Sequence, residues 1–241
     1  MDLKTRLYVL DQIYKIYDGI VENWDTACRQ YCSECCTRNV ILTGLEGYKI
    51  ITYLISQGRS ERLRVIEAES DKKRFQPRMT TNALAALCMK GEEPPEEENE
   101  SSWGNCPFLQ NNECPIYPVR PFGCRCFVSK QKCAETGYAD VEPFMFAVNT
   151  VFLQYIEHID AGGYSGNFTD VLLFMASEEN RQSYSDGTLK HACKNLIPNH
   201  PIRTLLVFPE HKERIEPVLK QLTDIKIHCD FSRFHFSTPP A

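Results

Sequence analysis

Cys28-Arg29-Gln30-Tyr31-Cys32-Ser33-Glu34-Cys35-Cys36 places four thiols within nine positions. A second group follows at Cys106, Cys114, Cys124, Cys126 and Cys133. Thiols at this density, in two groups that a fold can bring together, suit a soft metal ion or an iron–sulfur cluster. A segment so short and so rich in cysteine has no apolar face of its own. The chain around it must supply the core.

That surrounding chain reads as helix upon helix. Leu7, Leu10, Ile13, Tyr14, Tyr17 and Val21 fall at three- and four-residue steps, which predicts an amphipathic helix over 3–24 leading into the first cysteine group. Asn39-Val40-Ile41-Leu42 is a short extended piece. Thr43-Gly44-Leu45-Glu46 then has the form of a capping box opening a helix that runs to about Ile55 and stops near Gly58. Further helices are expected over 61–74 and 80–89, separated by Pro77, over 141–159, and from Asp170 to Glu179. The run Gly91-Glu92-Glu93-Pro94-Pro95-Glu96-Glu97-Glu98 is a solvated loop. From Trp103 to Cys133 the texture changes to short pieces broken by Gly, Pro and Asn, with Asn111-Asn112 as a hairpin turn. Gly162-Gly163 reads as part of a plain connector. Toward the end, Thr204–Phe208, Pro209–Leu222 and Ile225–His228 suggest strand, helix and strand. The expected fold is therefore mainly α, with helices around an irregular cysteine-rich metal-binding centre and a small strand–helix–strand C-terminal addition. Residues 1–190 would form the cysteine-cluster domain, and 191–241 an addition that could share its core.

Composition narrows the environment. At 241 residues the chain is long enough for one substantial core. A net charge of −5 gives no electrostatic reason to expect nucleic acid or an anionic membrane as a partner. No apolar run approaches the roughly 20 residues of a membrane span, and the N-terminus lacks the pattern of a secretory signal. A cytoplasmic, reducing address is expected. There, dense cysteine usage reads as metal ligation or catalysis rather than as a disulfide framework.

The spacing Cys28-x3-Cys32-x2-Cys35 is shared with radical enzymes that bind a four-iron cluster and S-adenosylmethionine. Those enzymes usually carry an aromatic residue before the third cysteine, where this chain has Glu34, and they need alternating strands and helices. The second group is more specific. It reads Cys106-Pro107-Phe108-Leu109, then Cys114-Pro115-Ile116-Tyr117-Pro118-Val119-Arg120-Pro121-Phe122-Gly123-Cys124-Arg125. With the first group this resembles the cysteine-cluster family that carries a CxxCxxCC zinc- or iron-chelating domain, which includes the YkgJ-type proteins and is related to flagellin lysine N-methylase. The first step here is x3 where the family name has x2.

The resemblance implies Cys28, Cys32, Cys35, Cys36, Cys106, Cys114 and Cys124 as metal ligands. Cys126 is the nearest choice for an eighth family position and Cys133 the next. Tyr117, Arg120 and Arg125 match the motif too, and beside thiolates they would offset charge and donate hydrogen bonds to sulfur. Cys88, Cys193 and Cys229 stand alone and read as small buried hydrophobes. The six histidines show no ligand spacing.

An all-cysteine donor set with apolar neighbours such as Phe108, Ile116 and Phe127 favours a 4Fe-4S cluster, with zinc as the alternative. Three functions stay open at this point: an iron–sulfur protein in electron transfer or accessory to an enzyme, a protein-lysine N-methyltransferase, and a zinc-stabilised module that binds a protein partner. No phosphate-cradling Gly-rich loop, catalytic dyad or paired carboxylates stand out.

Overall fold

A computed structural model describes residues 1–189 and 194–225. Ten α-helices and one three-stranded antiparallel sheet make up its regular structure. The mainly α expectation holds.

The amphipathic N-terminal helix α1 spans Leu3–Glu22, capped by Asp2, and buries Val9, Leu10, Ile13, Tyr14 and Tyr17 on one face. Strand β1, Ile41–Thr43, runs directly into α2, Gly44–Ser56. The capping box forms in full: the Glu46 backbone N–H donates to the Thr43 side chain, and the Glu46 carboxylate accepts from the Thr43 N–H at 2.8 Å. Gly58, at φ +65, turns the chain away just beyond the helix. Two short helices follow, α3 over Glu61–Ala68 and α4 over Thr81–Cys88.

Helix α3 ends six residues earlier than its sequence suggested. Arg74 folds back there, donating to the Ser70 and Lys72 carbonyls and bidentately to Asp170 at 2.8 and 2.7 Å. These carbonyls are thereby satisfied outside a helix.

The cysteine-rich middle holds a one-turn helix α5, Phe122–Arg125, and a second one, α6, Cys133–Thr136. Asn111 and Asn112 both take positive φ between the bridged residues Gln110 and Glu113, forming the expected hairpin turn.

Helix α7, Pro143–Ile159, is the central element, with twelve buried residues. Beyond it the connector around Gly163 proves to be strand β2, Tyr164–Asn167, the middle strand of the sheet. It pairs Ile41 with Asn167 on one side and Ser165 with Ile197 on the other. A Cβ at Gly166 would lie 2.6 Å from Leu196 Cδ2 and 3.0 Å from the Asn195 carbonyl, so glycine lets β3 approach closely there. Helix α8, Phe168–Ala176, breaks at Ser177, which caps α9, Glu178–Ser185.

The C-terminal part departs from expectation. The third strand, β3, is Leu196–Pro198, and Thr204–Phe208 is not a strand. The side chain of Gln154 takes the place of a neighbouring strand: it donates to the Thr204 carbonyl at 2.9 Å and accepts from the Leu206 N–H at 2.8 Å. A 3-10 turn at Pro209–His211 leads into α10, Lys212–Thr223. Of the suggested last strand, all but Ile225 lies outside the described residues, as do Cys193 and Cys229.

Side chains from α1 through Ile225 form a single hydrophobic cluster, so residues 194–225 share the core of the remainder. Among the described residues no helix is long and apolar enough to cross a membrane.

Candidate metal centre

The seven matched cysteines, Cys28, Cys32, Cys35, Cys36, Cys106, Cys114 and Cys124, all line one cavity of about 130 Å³. Tyr117, Arg120 and Arg125 line it as well. The ten described cysteines are all free thiols. Cys88, Cys126 and Cys133 are not among the lining residues.

Two sets of backbone contacts fold the first cysteine group onto the second. Cys106 N–H donates to the Cys36 carbonyl at 2.8 Å, and Arg38 N–H to the Gly104 carbonyl at 3.0 Å. At the other end, Ala27 N–H donates to the Ser129 carbonyl at 2.7 Å, while Ser129 N–H donates to Cys28 Sγ at 3.2 Å. Tyr31, at φ +73, makes the reversal between Cys28 and Cys32 in a backbone region where a bulky residue is strained.

Cys106 and Cys114 each begin a Cys-Pro-apolar turn. The prolines supply no N–H, and the next amides lie by the sulfurs, Phe108 by Cys106 and Ile116 by Cys114, while the Leu109 N–H donates to the Cys106 carbonyl at 3.0 Å. Phe108 and Ile116 are fully buried and anchor these turns in the core. Amides aimed at sulfur before any charge is there favour a thiolate or a metal-bound sulfur.

Cys124 sits on α5, whose position is set by Glu46. The same carboxylate that caps α2 accepts the Phe122 N–H at 2.7 Å and the Tyr14 hydroxyl at 2.7 Å through its other oxygen. One turn on, the Cys126 carbonyl accepts from Asn149 Nδ2 at 2.9 Å, and Asn149 Oδ1 accepts from the Tyr17 hydroxyl at 2.7 Å. The Tyr17 ring packs edge-on against Phe122 at 4.7 Å and Phe152 at 5.0 Å. A glycine is needed at 123, since a Cβ would meet the Ile41 carbonyl at 2.7 Å.

Electrostatics set Cys35, Cys106, Cys114, Cys124 and Cys126 against ionisation. Burial pushes Cys106 up to about 11, and neighbouring Cys114 adds to it against the pull of the facing amides and Arg38. Cys114 is raised mainly by burial, and Cys124 well above the ordinary thiol range by burial and by Cys106, Cys114, Cys126 and Cys35 around it. Cys35 is raised chiefly by its hydrogen bond with Cys36 and then by burial. Cys126, pushed up by burial to about 12, points its thiol at the Gly123 carbonyl, beside the cavity rather than on it. A metal that binds such sites displaces protons, so its affinity rises with pH.

The two arginines differ. Arg125 is spent on the protein: Nε donates to the Arg120 carbonyl at 3.0 Å, one terminal nitrogen to Asp18 at 3.1 Å, the other to the Pro118 carbonyl at 3.2 Å. It braces the loop that carries Cys114 and Cys124. Arg120 stacks its guanidinium 4.0 Å over the Tyr117 ring, and its Nε is buried without a hydrogen-bond partner. Its charge draws the Cys35 and Cys114 thiols toward ionisation.

The cavity has a buried floor of Val40, Ile116, Val128 and Phe168, and an exposed side where Arg29, Tyr31, Cys32 and Phe127 meet solvent. Arg29 and Tyr31 were missed in the sequence reading, although both stand between the first two cysteines. Glu46 was read as a helix cap only.

Among the described residues, no three Cys, His, Asp or Glu side chains converge tightly enough to hold a single metal ion. The thiols surround a space instead of closing on a point. No protein-family model, no curated protein and no solved structure matches the chain, so the likeness to the cysteine-cluster family rests on the motif residues alone.

Proposed function

We propose that this chain is a metal-chelating cysteine-cluster protein that binds an iron–sulfur cluster and serves in electron transfer or as an accessory to an enzyme. The observation that carries this reading is the gathering of seven thiols around one cavity.

The donors gathered at the cavity are all cysteine, with no histidine among the lining residues, and an all-thiolate set is what an iron–sulfur cluster takes. A four-iron cluster spreads its four thiolate bonds over the corners of a cage. Cys35, Cys106, Cys114 and Cys124 are the best four, because Cys35, Cys106, Cys114 and Cys126 all act on Cys124 and of these only Cys126 lies off the cavity. The amides facing Cys106 and Cys114, together with Arg120, would donate hydrogen bonds to sulfur, and such bonds raise a cluster's reduction potential. When bound, the cluster supplies one-electron transfer. The exposed Tyr31 and Phe127 would bring it near a partner's surface.

The test is a visible and electron paramagnetic resonance spectrum of anaerobically purified protein before and after dithionite. A broad brown absorption that bleaches on reduction, with a new paramagnetic signal, supports the reading. A colourless protein with stoichiometric zinc overturns it in favour of a zinc-stabilised interaction module.

A further inference from the structure

Tyr31 is an awkward residue for the turn it occupies. The Cys32 N–H donates to the Arg29 carbonyl at 3.1 Å, closing a turn that has Tyr31 in its third position at φ +73. At positive φ that position favours glycine or asparagine, because a larger side chain crowds the backbone. The tyrosine side chain does little to offset the strain within the fold. It is 60 % exposed and has no hydrogen bond or ring contact with another described residue.

What Tyr31 does have is a place at the thiol cavity. It lines that space together with Phe127, and both lie on the exposed side, opposite the buried Val40, Ile116 and Phe168. Pairing between their segments brings the two to one rim. Ala27 N–H and the Thr26 hydroxyl donate to the Ser129 carbonyl at 2.7 and 3.0 Å, and Ser129 N–H donates to Cys28 Sγ at 3.2 Å. Phe127 is 45 % exposed although Val128 beside it is buried, so a large apolar side chain is kept in water at the edge of the cavity. Strain at one residue and unburied apolar surface at the other meet at the same opening. Backbone strain held beside a functional site points to a role there.

We infer that Tyr31 and Phe127 form an aromatic rim that restricts the access of water and small solutes to the cavity thiols, the strained turn being what holds the Tyr31 side chain at the opening. Each side chain covers part of the opening while its outer face stays in solvent, which fits the partial exposure of both. The inference rests on the metal-centre reading only for its colour readout; its thiol readout stands without it.

The test alkylates the full chain, purified anaerobically, with iodoacetamide and follows each cysteine by peptide mass spectrometry. Cys88, away from the cavity, is the internal reference. Cys28 and Cys36 line the cavity but lie outside the four thiols assigned to the cluster, so they report on access whether or not iron is bound. Tyr31→Asn suits the positive φ and removes the ring. It should raise the rates at Cys28 and Cys36 relative to Cys88 roughly threefold or more and melt no lower than the parent. Phe127→Ala should raise them as well, whereas Tyr31→Phe, which keeps the ring, should match the parent. In air, the brown colour of the two variants that lack a ring should fade faster than that of the parent. Unchanged rates in Tyr31→Asn, an equal rise at Cys88, or a Tyr31→Phe variant as reactive as Tyr31→Asn would overturn the assignment. Early melting of Tyr31→Asn would overturn it too, because the side chain would then be serving the fold. A colourless parent counts against the iron–sulfur reading, and the alkylation rates still decide this one.

Discussion

Glu46 offers the sharpest test of how the core positions the cysteines. Its carboxylate, 3 % exposed, accepts from four donors in three separate parts of the chain: Thr43 N–H and hydroxyl at 2.8 and 3.0 Å, Tyr14 hydroxyl at 2.7 Å and Phe122 N–H at 2.7 Å. Glu46→Ala leaves both N–H groups and the Tyr14 hydroxyl buried without acceptors. Each orphaned donor costs about 1–3 kcal/mol, and the lost capping box is part of the same sum. Allowing for local relaxation and water entry, a loss of about 4–5 kcal/mol is expected, a large share of a domain's usual stability of about 5–15 kcal/mol. Glu46→Gln keeps one acceptor oxygen. With that oxygen toward Tyr14 and Phe122, only the Thr43 N–H is orphaned, because the Thr43 hydroxyl can rotate to accept. About 2 kcal/mol is expected. Urea denaturation measures both, and iron content after gel filtration reports on Cys124, whose helix begins at Phe122. The alanine variant should lose metal more readily than the glutamine variant. An alanine variant within 1 kcal/mol of the parent, or a glutamine variant worse than alanine, would refute the reasoning.

Three further expectations follow from packing and charge. Gly47→Ala puts a Cβ 2.5 Å from Val171 Cγ1, where α2 lies closest to α8, and should cost about 1–3 kcal/mol by thermal or urea denaturation. Cys124→Ala should remove metal, whereas Cys88→Ala, away from the cavity, should leave it in place; equal loss from both would contradict the site. Asp170 is held below the usual carboxylate range, burial opposing and the bonds from Arg74, Gln76 and Asn195 prevailing. Its contribution is complete above the unfolded carboxyl value of 3.8 and is lost as pH falls through the lower folded value. Asp170→Asn should therefore lower stability by about 2–3 kcal/mol at pH 7, with a smaller deficit at pH 3, as denaturation at the two pH values would show.

Local signals proved readable where the physics is local. The three- and four-residue steps of α1, the Thr43–Glu46 box and the Asn111-Asn112 turn each need only neighbouring residues, and each forms as expected. The gathering of the two cysteine groups was legible from their density, because such a segment has nothing else to bury. What the sequence hid depends on distant partners. Tyr164–Asn167 has the composition of a loop and becomes the central strand only because β1 and β3 flank it. Thr204–Phe208 has the composition of a strand, yet one glutamine from α7 takes its backbone groups. Glu46 shows half of itself in sequence. Its cap is three residues away, but Tyr14 and Phe122 lie 32 and 76 positions off. The orphaned Nε of Arg120 is a feature of three-dimensional packing and leaves no mark in the spacing.

The most direct test of the central claim is a per-chain count of iron, zinc and acid-labile sulfide in anaerobically purified protein, beside Cys124→Ala prepared the same way. The expected result is about four iron and four sulfide in the parent, little zinc, and loss of both iron and sulfide in the variant. Zinc without sulfide, or iron and sulfide undiminished by the variant, would contradict it.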